Sequence, residues 1–553
     1  MKHIRVRQSR FEIGITAILV LLASSPALFS GINSLFAWGH ALFLGTLLAL
    51  ALEVARRLHR LAGTLLFAVL TTVLCTEIAT YRLTGLHLNS FTLSLLFEGD
   101  PLSNIGVSVA LPLLATALIV TSFLLAWRRP NHPQRFRLRW LVLACSAFLA
   151  FTQLAYGTLY YEAAPGVQET RRKLAFFSAP HRYYIVRALE PLLGPRPANP
   201  FSEAVPVPLV RAESPPPLDI PHRKSILLVI MDSVRAKDIA ANPALAPNLS
   251  ALKAEGQLSL DHYAASNCTH FSLYGMFTGK LPNAFGAVRQ RGAAVGFIPQ
   301  LQANGYATTS AEALSLDWYN LSTLLLPGVT RHVAQAESMT DNDRFVTDTT
   351  IRLLTAPQEK PYFHLAYYNG AHFPYGDQDP LLGLVGSTLE SYQGAVTAMD
   401  AEVGRLITAL RPQVERGELL VMITADHGES VFDDGVIGHS SALTDEQMIV
   451  PFASLGGGDS PLPTSQLGIT DYLFAQLGVA SDAREEPVFL SNCSVEVPNG
   501  FAVIDGPRRA DFHYEDGLLS PAATPGKEMP PKADQLWAAR QLLERLASPD
   551  QPD

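Results

Sequence analysis

Charge is scarce in this 553-residue chain: Asp, Glu, Lys and Arg make up 17% of it, against about 25% in an ordinary globular domain, while 48% is hydrophobic. The apolar excess is concentrated at the N-terminus, and the length allows two or more domains. No long basic run occurs in the polar part and the net charge is −8, which argues against a nucleic-acid partner. Cysteine is equally sparse. Cys75, Cys145, Cys268 and Cys493 are too few for a disulfide scaffold and lack zinc-finger spacing. Cys75 and Cys145 fall in apolar runs, where a thiol behaves as a small hydrophobe. A Cys268–Cys493 bridge is compatible with the sequence but not deducible from it. No short-period repeat is visible.

What is present at the N-terminus is a series of five apolar segments, near 12–31, 36–55, 62–80, 104–127 and 140–160, each about long enough to cross a bilayer. A cleaved signal peptide would be a single shorter run. Lys2, Arg5, Arg7 and Arg10 precede the first segment; Arg56, Arg57 and Arg60 follow the second; Arg128, Arg129, Arg135, Arg137 and Arg139 follow the fourth. The alternate loops hold only Arg82. By the positive-inside rule the N-terminus is cytoplasmic, and five crossings carry everything after residue 160 to the other side. Residues 81–103 are apolar but punctuated and are expected along the outer interface. Glu77, near the outer end of the third segment, either reaches water or serves inside the bilayer.

The expected division is a transmembrane domain over 1–165, an interfacial segment and linker over 166–222, and an outer domain over 223–553. In the middle part Arg171, Arg172, Lys173, Arg182 and Arg187 are interleaved with Phe176, Phe177, Tyr183 and Tyr184. Cations beside aromatics at a membrane exit suit lipid phosphates, and equally suit plain interfacial anchoring. Residues 191–222 are Pro-rich without a hydrophobic period and read as a stiff linker.

From Ser225 the pattern becomes α/β. Strands are expected over 225–232, 361–369 and 419–427, with helices at 297–304, 388–410 and 533–547. Alternation of this kind implies a mostly parallel sheet covered by helices on both faces. The strand at 419–427 ends in Asp426-His427-Gly428-Glu429, with His439 13 positions after Asp426. Sites of open α/β sheets lie at such carboxyl ends. Neighbouring Asp and His side chains leave a strand on opposite faces and can share a metal only past its end, where Gly428 gives the backbone freedom. Two other strand ends are also polar: Asp232, and Asn369 with His372 just beyond.

A fourth cluster, Ser266-Asn267-Cys268-Thr269-His270, precedes an apolar run able to start a helix. A hydroxyl there sits where backbone N–H groups favour an alkoxide or phosphate. Two Asp, one His and one hydroxyl form a hard O/N set for one or two divalent cations, Zn²⁺ or Mn²⁺. Each residue has an ordinary alternative. Asp232 or Thr269 would serve as an N-cap, His372 as a loop histidine, and His439 as a capping or packing residue.

This constellation resembles the alkaline phosphatase/sulfatase superfamily from about 225 to 510. The five-span layout is most similar to its membrane-anchored headgroup transferases, the phosphoethanolamine transferases and lipoteichoic acid synthases. The resemblance implies metal binding by Asp232, Thr269, Asp426 and His427, with Thr269 as nucleophile and Cys268 the weaker candidate. It implies contact of His372 and His439 with the substrate phosphate or a second metal. A formylglycine sulfatase needs x-Pro-x-Arg after its Cys; here Cys268 is followed by Thr269, His270, Phe271 and Ser272. Residues 86–91, 186–190 and 262–279 also resemble the YejM/PbgA-type inner-membrane proteins that regulate lipopolysaccharide synthesis. The best-known member of that group lacks an intact Asp-His pair, which this chain keeps.

The expectation is a bacterial inner-membrane enzyme with a periplasmic catalytic domain. It would move a phospholipid headgroup onto an envelope lipid, lipopolysaccharide or glycan through a phosphothreonine. His372 or His439 would donate a proton to the leaving oxygen, and Asn267 or Arg235 would steady the phosphoryl oxygens. The rivals are a lipid-sensing regulator with a membrane-protein partner, acting through Arg171–Arg187, and a tethered phosphodiesterase indifferent to loss of residues 1–165.

Overall fold

The computed structural model describes residues 9–88, 110–128, 137–162, 164, 166–195, 201, 218–254, 257–377, 388–480, 487–515, 518–523 and 527–547. Most of the expected interfacial stretch 81–103 and of the Pro-rich linker lies outside them. The chain divides into two units, 1–92 with 107–202, and 203–553 with 93–106.

The first unit is helical. Its helices are α1 (Ser9–Ser24), α2 (Ser34–Leu58), α3 (Arg60–Thr84), α4 (Ala110–Trp127) and α5 (Leu138–Tyr161), followed by the short α6 (Val167–Arg172) and α7 (Arg182–Leu193). Among the described residues three helical stretches, Gly31–Leu58, Arg60–Thr84 and Leu138–Tyr161, are long and apolar enough to cross a membrane; Phe11–Ser24 and Ala115–Trp127 are shorter apolar helices. Phe36, Tyr156 and Tyr161 pack with Val167, Ile185 and Leu189, so α6 and α7 share the core of the helices before them. Glu77 is buried rather than wet: its carboxylate pairs with His87 and accepts the Leu88 N–H at 2.8 Å. The basic segment is partly engaged. Lys173 pairs with Glu169 at 2.5 Å, and Arg187 donates to the Tyr183 hydroxyl at 3.0 Å.

The second unit is built on a seven-stranded sheet. Its strands are β1 (Ser225–Met231), β2 (Leu258–Tyr263), β3 (Ala307–Glu312), β4 (Thr330–Val333), β5 (Tyr362–Tyr368), β6 (Leu419–Ala425) and β9 (Ile449–Leu455), in the order β2-β9-β6-β1-β5-β3-β4. Only β9 runs against its neighbours, β6 and β2. β5 and β6 are buried throughout, and β1 from Ile226 on, apolar but for His364 and Thr424, because both faces of a parallel sheet are covered. Two crossover helices are α9 (Met339–Thr355) and α10 (Thr388–Glu415). A two-stranded ribbon, β7 (Ser430–Val431) and β8 (Ile437–Gly438), follows β6. A second, antiparallel sheet comprises β10 (Val488–Ser491), β11 (Gly500–Asp505), β12 (Arg508–Glu515) and β13 (Leu518–Ala522), and the chain closes with α11 (Lys532–Ala547).

Register places the site. Met231 stands level with Tyr368 of β5 and Ala425 of β6. The next residue on each strand is therefore Asp232, Asn369 and Asp426, and three polar groups leave the sheet together.

Candidate metal and phosphoryl-transfer site

Asp232 follows β1 directly and is not a helix cap; the next helix begins at Ala236 with Arg235 as its N-cap. Its Oδ1 accepts the Ser233 hydroxyl at 2.7 Å and its Oδ2 the Tyr367 hydroxyl at 2.6 Å. Asp426 is held on one side only. Its Oδ1 accepts the N–H groups of His427 (2.8 Å) and Ser233 (3.1 Å). Asp426 Oδ2 is buried and accepts no well-formed hydrogen bond among the described residues. Gly428 is required by close approach rather than by a special backbone angle: a Cβ there would stand 2.1 Å from Glu446 O.

Thr269 opens the helix α8 (Thr269–Thr278), whose N-cap is Cys268, so the hydroxyl projects from the first helical residue. Its Oγ1 lies 3.2 Å from His427 Nε2, which is itself 3.5 Å from Asp426 Oδ2. His427 Nδ1–H donates to Gly428 O at 3.0 Å, which leaves Nε2 as the ligand atom. Asp232, Asp426 and His427 offer ligand atoms within 4.8 Å of one another, as do His427, Glu429 and His439. The donor set fits a divalent cation. Two carboxylates buried side by side repel, and burial together with Asp232 pushes Asp426 up to about 8. Burial acts on Asp232 too, yet His372, His427 and the Tyr367 hydroxyl hold it below its ordinary value. Burial depresses His427. A cation would relieve the repulsion and occupy the free lone pair of Asp426 Oδ2.

His372 and His439 join the group. His439 lies tilted against His427 with ring centroids 4.1 Å apart, and His372 meets His439 edge-on at 5.2 Å. Each is oriented through Nδ1–H, His439 donating to Glu429 Oε2 (2.8 Å) and His372 to Phe373 O (2.7 Å). Glu429 escaped the sequence reading as a site residue although it stood in the Asp-His-Gly-Glu motif; it is fully buried and also accepts the Tyr375 hydroxyl at 3.4 Å. Tyr367 was missed as well, since a tyrosine inside an apolar strand carries no signal of what its hydroxyl meets.

Two expected substrate contacts are not brought to the opening. Arg235 is 1% exposed; its guanidinium binds Asp238, Asp433 and Glu429 O and lies over the Tyr392 ring. Asn267 is fully buried, donating to Ala442 O and Gln447 Oε1 (2.9 Å each) and accepting the Cys493 N–H at 2.8 Å. Both are committed to holding loops. Cys268 is joined to Cys493 in a disulfide, so its sulfur is not a nucleophile. The cations Arg171, Arg172, Lys173, Arg182 and Arg187 belong to the first unit, whereas the residues just described belong to the second.

Residues 224–477 match the family model for sulfatases. They are a sulfatase-family domain. Its alkaline phosphatase-like α/β fold has the mostly parallel central sheet described above. Among curated proteins none matches the chain. Among solved structures it is similar to the integral membrane protein lipooligosaccharide phosphoethanolamine transferase A (EptA) from Neisseria meningitidis, at 14% identity and TM-score 0.56, over 84% of this chain and 95% of that one. Others include the lipoteichoic acid synthase LtaP from Listeria monocytogenes (15% identity, TM-score 0.43, 59% and 92% covered). A phosphonate monoester hydrolase of Agrobacterium radiobacter matches at 15% identity and TM-score 0.42, over 54% and 88%. At 14% identity the likeness to EptA is one of fold.

Proposed function

We propose that this chain, with its sulfatase-like domain, is a membrane-anchored, metal-dependent transferase that moves a phospholipid headgroup, of the phosphoethanolamine kind, onto an envelope lipid or glycan. The observation carrying this reading is the Thr269 hydroxyl, 3.2 Å from His427 Nε2, beside two buried carboxylates at adjacent strand ends. Asp232, Asp426 and His427 would hold the cation, Zn²⁺ or Mn²⁺, with Thr269 beside it; where Glu429 and His439 take a second, His372 is left as the proton donor. When bound, the metal lowers the pKa of an adjacent hydroxyl and offsets charge on a phosphoryl group.

The chain's own residues supply the rest. Thr269, its hydroxyl proton released to solvent, bonds through Oγ to the headgroup phosphorus as the bond from phosphorus to the diacylglycerol oxygen breaks, leaving a phosphothreonine. His372 or His439, each oriented through Nδ1–H, presents Nε2 to the departing oxygen and gives it a proton. The histidine acts from its protonated form, and that imidazolium is restored when the acceptor hydroxyl gives up its proton in attacking the phosphothreonine, as Thr269 Oγ leaves and regains a proton from solvent. Water as acceptor would make the same site a phosphatase.

The arginine distribution supports five spans in the inner membrane, a cytoplasmic N-terminus and a periplasmic catalytic domain, and the Cys268–Cys493 disulfide suits an oxidising compartment. Arg171, Arg172, Lys173, Arg182 and Arg187 would meet lipid phosphates at the membrane surface. The activity named for EptA, which has the same fold, is of the class inferred here. The test uses purified full-length protein with phosphatidylethanolamine vesicles. Thr269→Ala should keep most of its metal and lose diacylglycerol release, and Asp426→Asn should lose both; release unchanged in either variant contradicts the reading.

A further inference from the structure

The segment that bears Thr269 is gripped from beyond the sulfatase-matching stretch, which ends at residue 477. Ser491 donates to Ala265 O through its N–H (2.9 Å) and its hydroxyl (3.0 Å), and Ser266 forms a parallel bridge with Ser491. Cys493 N–H donates to Asn267 Oδ1, and the Cys268–Cys493 disulfide joins backbones 5.5 Å apart at Cα. His270 Nε2–H donates to Ser494 O at 2.7 Å. Thr269 sits between the last two ties. Residues 265–270 and the chain leaving β10 are thus zipped together, and the residues on the nucleophile's side are all buried.

A first helical turn is ordinarily fixed by a side-chain cap, and α8 has none: Cys268 occupies the N-cap position and makes no capping hydrogen bond. Its sulfur is spent on the bridge instead. A nucleophile must be held to within a fraction of an ångström of its line of attack, and a misplacement of about 1 Å costs on the order of 10²-fold in rate.

We propose that Ser491–Ser494 are positioning residues for Thr269, and that the Cys268–Cys493 bond is the tie that makes turnover depend on an oxidised chain. The inference rests on Thr269 being the nucleophile. A bridge spanning 225 residues also restrains the unfolded chain, a purely structural benefit, so the test separates rate from stability.

The full-length Cys268→Ser/Cys493→Ser protein is compared with the parent on phosphatidylethanolamine vesicles, well below the variant's melting temperature. The expected result is a kcat lower by about 10- to 100-fold, with KM and bound metal within about twofold of the parent. Reduction by a dithiol, which opens the bridge to two thiols and leaves the dithiol oxidised, should bring the parent to the variant's rate and leave the variant unchanged. A kcat within about twofold of the parent overturns the proposal, as does a loss of metal in step with kcat. A parent without Thr269-dependent turnover would defeat the functional reading instead. The tie is then judged by amide exchange over residues 266–271: faster exchange in the double variant supports it, and unchanged protection overturns it.

Discussion

Two groups of buried polar side chains stand at the same end of the sheet, and they differ in how their atoms are partnered. Each guanidinium nitrogen of Arg235 and each amide atom of Asn267 has a protein partner. Around Asp426 the balance is left open: two carboxylates lie beside an imidazole and a hydroxyl, and one buried oxygen has no well-formed partner. Burying an unpaired charge is costly, so such a gap persists in a fold only where something else fills it. Residue type does not separate the two groups, since arginine and asparagine are ordinary phosphate ligands. Satisfaction of hydrogen bonds does.

The largest expected effect comes from the open group. Thr269→Ala should lower turnover by a factor on the order of 10³ or more, with little change in melting temperature. In the satisfied group the weight falls on stability. Arg235→Ala removes the charge partner of Asp238 and one of the two cations on Asp433, leaving it Lys237, and should cost about 3–5 kcal/mol. Asn267→Ala leaves the Cys493 N–H and two acceptors unpaired and should cost about 2–3 kcal/mol. Denaturant melts check both, and an Arg235→Ala protein of parental stability would collapse the distinction. Metal gives a finer probe. Zn²⁺ or Mn²⁺ at about 100 times its Kd should stabilise the parent by about 2.7 kcal/mol, an effect absent from Asp426→Asn.

The smallest effect concerns the scaffold histidines. Burial pushes His262 down to about 4 and His364 to about 3, and both are held neutral, His364 between the hydroxyls of Thr309 and Thr350. In the unfolded chain such groups protonate near pH 6.5. Stability they contribute is present above that pH and is lost as pH falls toward 4, because only the unfolded chain takes up the protons. His364→Gln should flatten the fall in melting temperature between pH 6.5 and 4, and an unaltered slope would count against this assignment.

Much of this was legible in the sequence because strand ends announce themselves: an apolar run stopping at Asp232 or at Asp426-His427 can be read without coordinates. Parallel register then brings the ends level, and that step needs only the α/β alternation. Less was legible where partners come from far along the chain. Tyr367 reads as one more apolar strand residue until β1 places Asp232 beside it. The Cys268–Cys493 pairing was open for the same reason, since 225 residues separate its halves. The protein partners of Asn267 and Arg235 were not legible either, because sequence displays a donor and not what already accepts from it. Gly428 was rightly picked out, for the wrong reason: a neighbouring carbonyl, not a backbone angle, requires it.

The central claim is that Thr269 carries the transferred group. Intact-protein mass spectrometry after brief incubation with phosphatidylethanolamine vesicles and Zn²⁺ tests it most directly. The account predicts a phosphoethanolamine adduct that maps to Thr269 and is absent from Thr269→Ala. An unmodified parent that still releases diacylglycerol, or an adduct that survives Thr269→Ala, would contradict it.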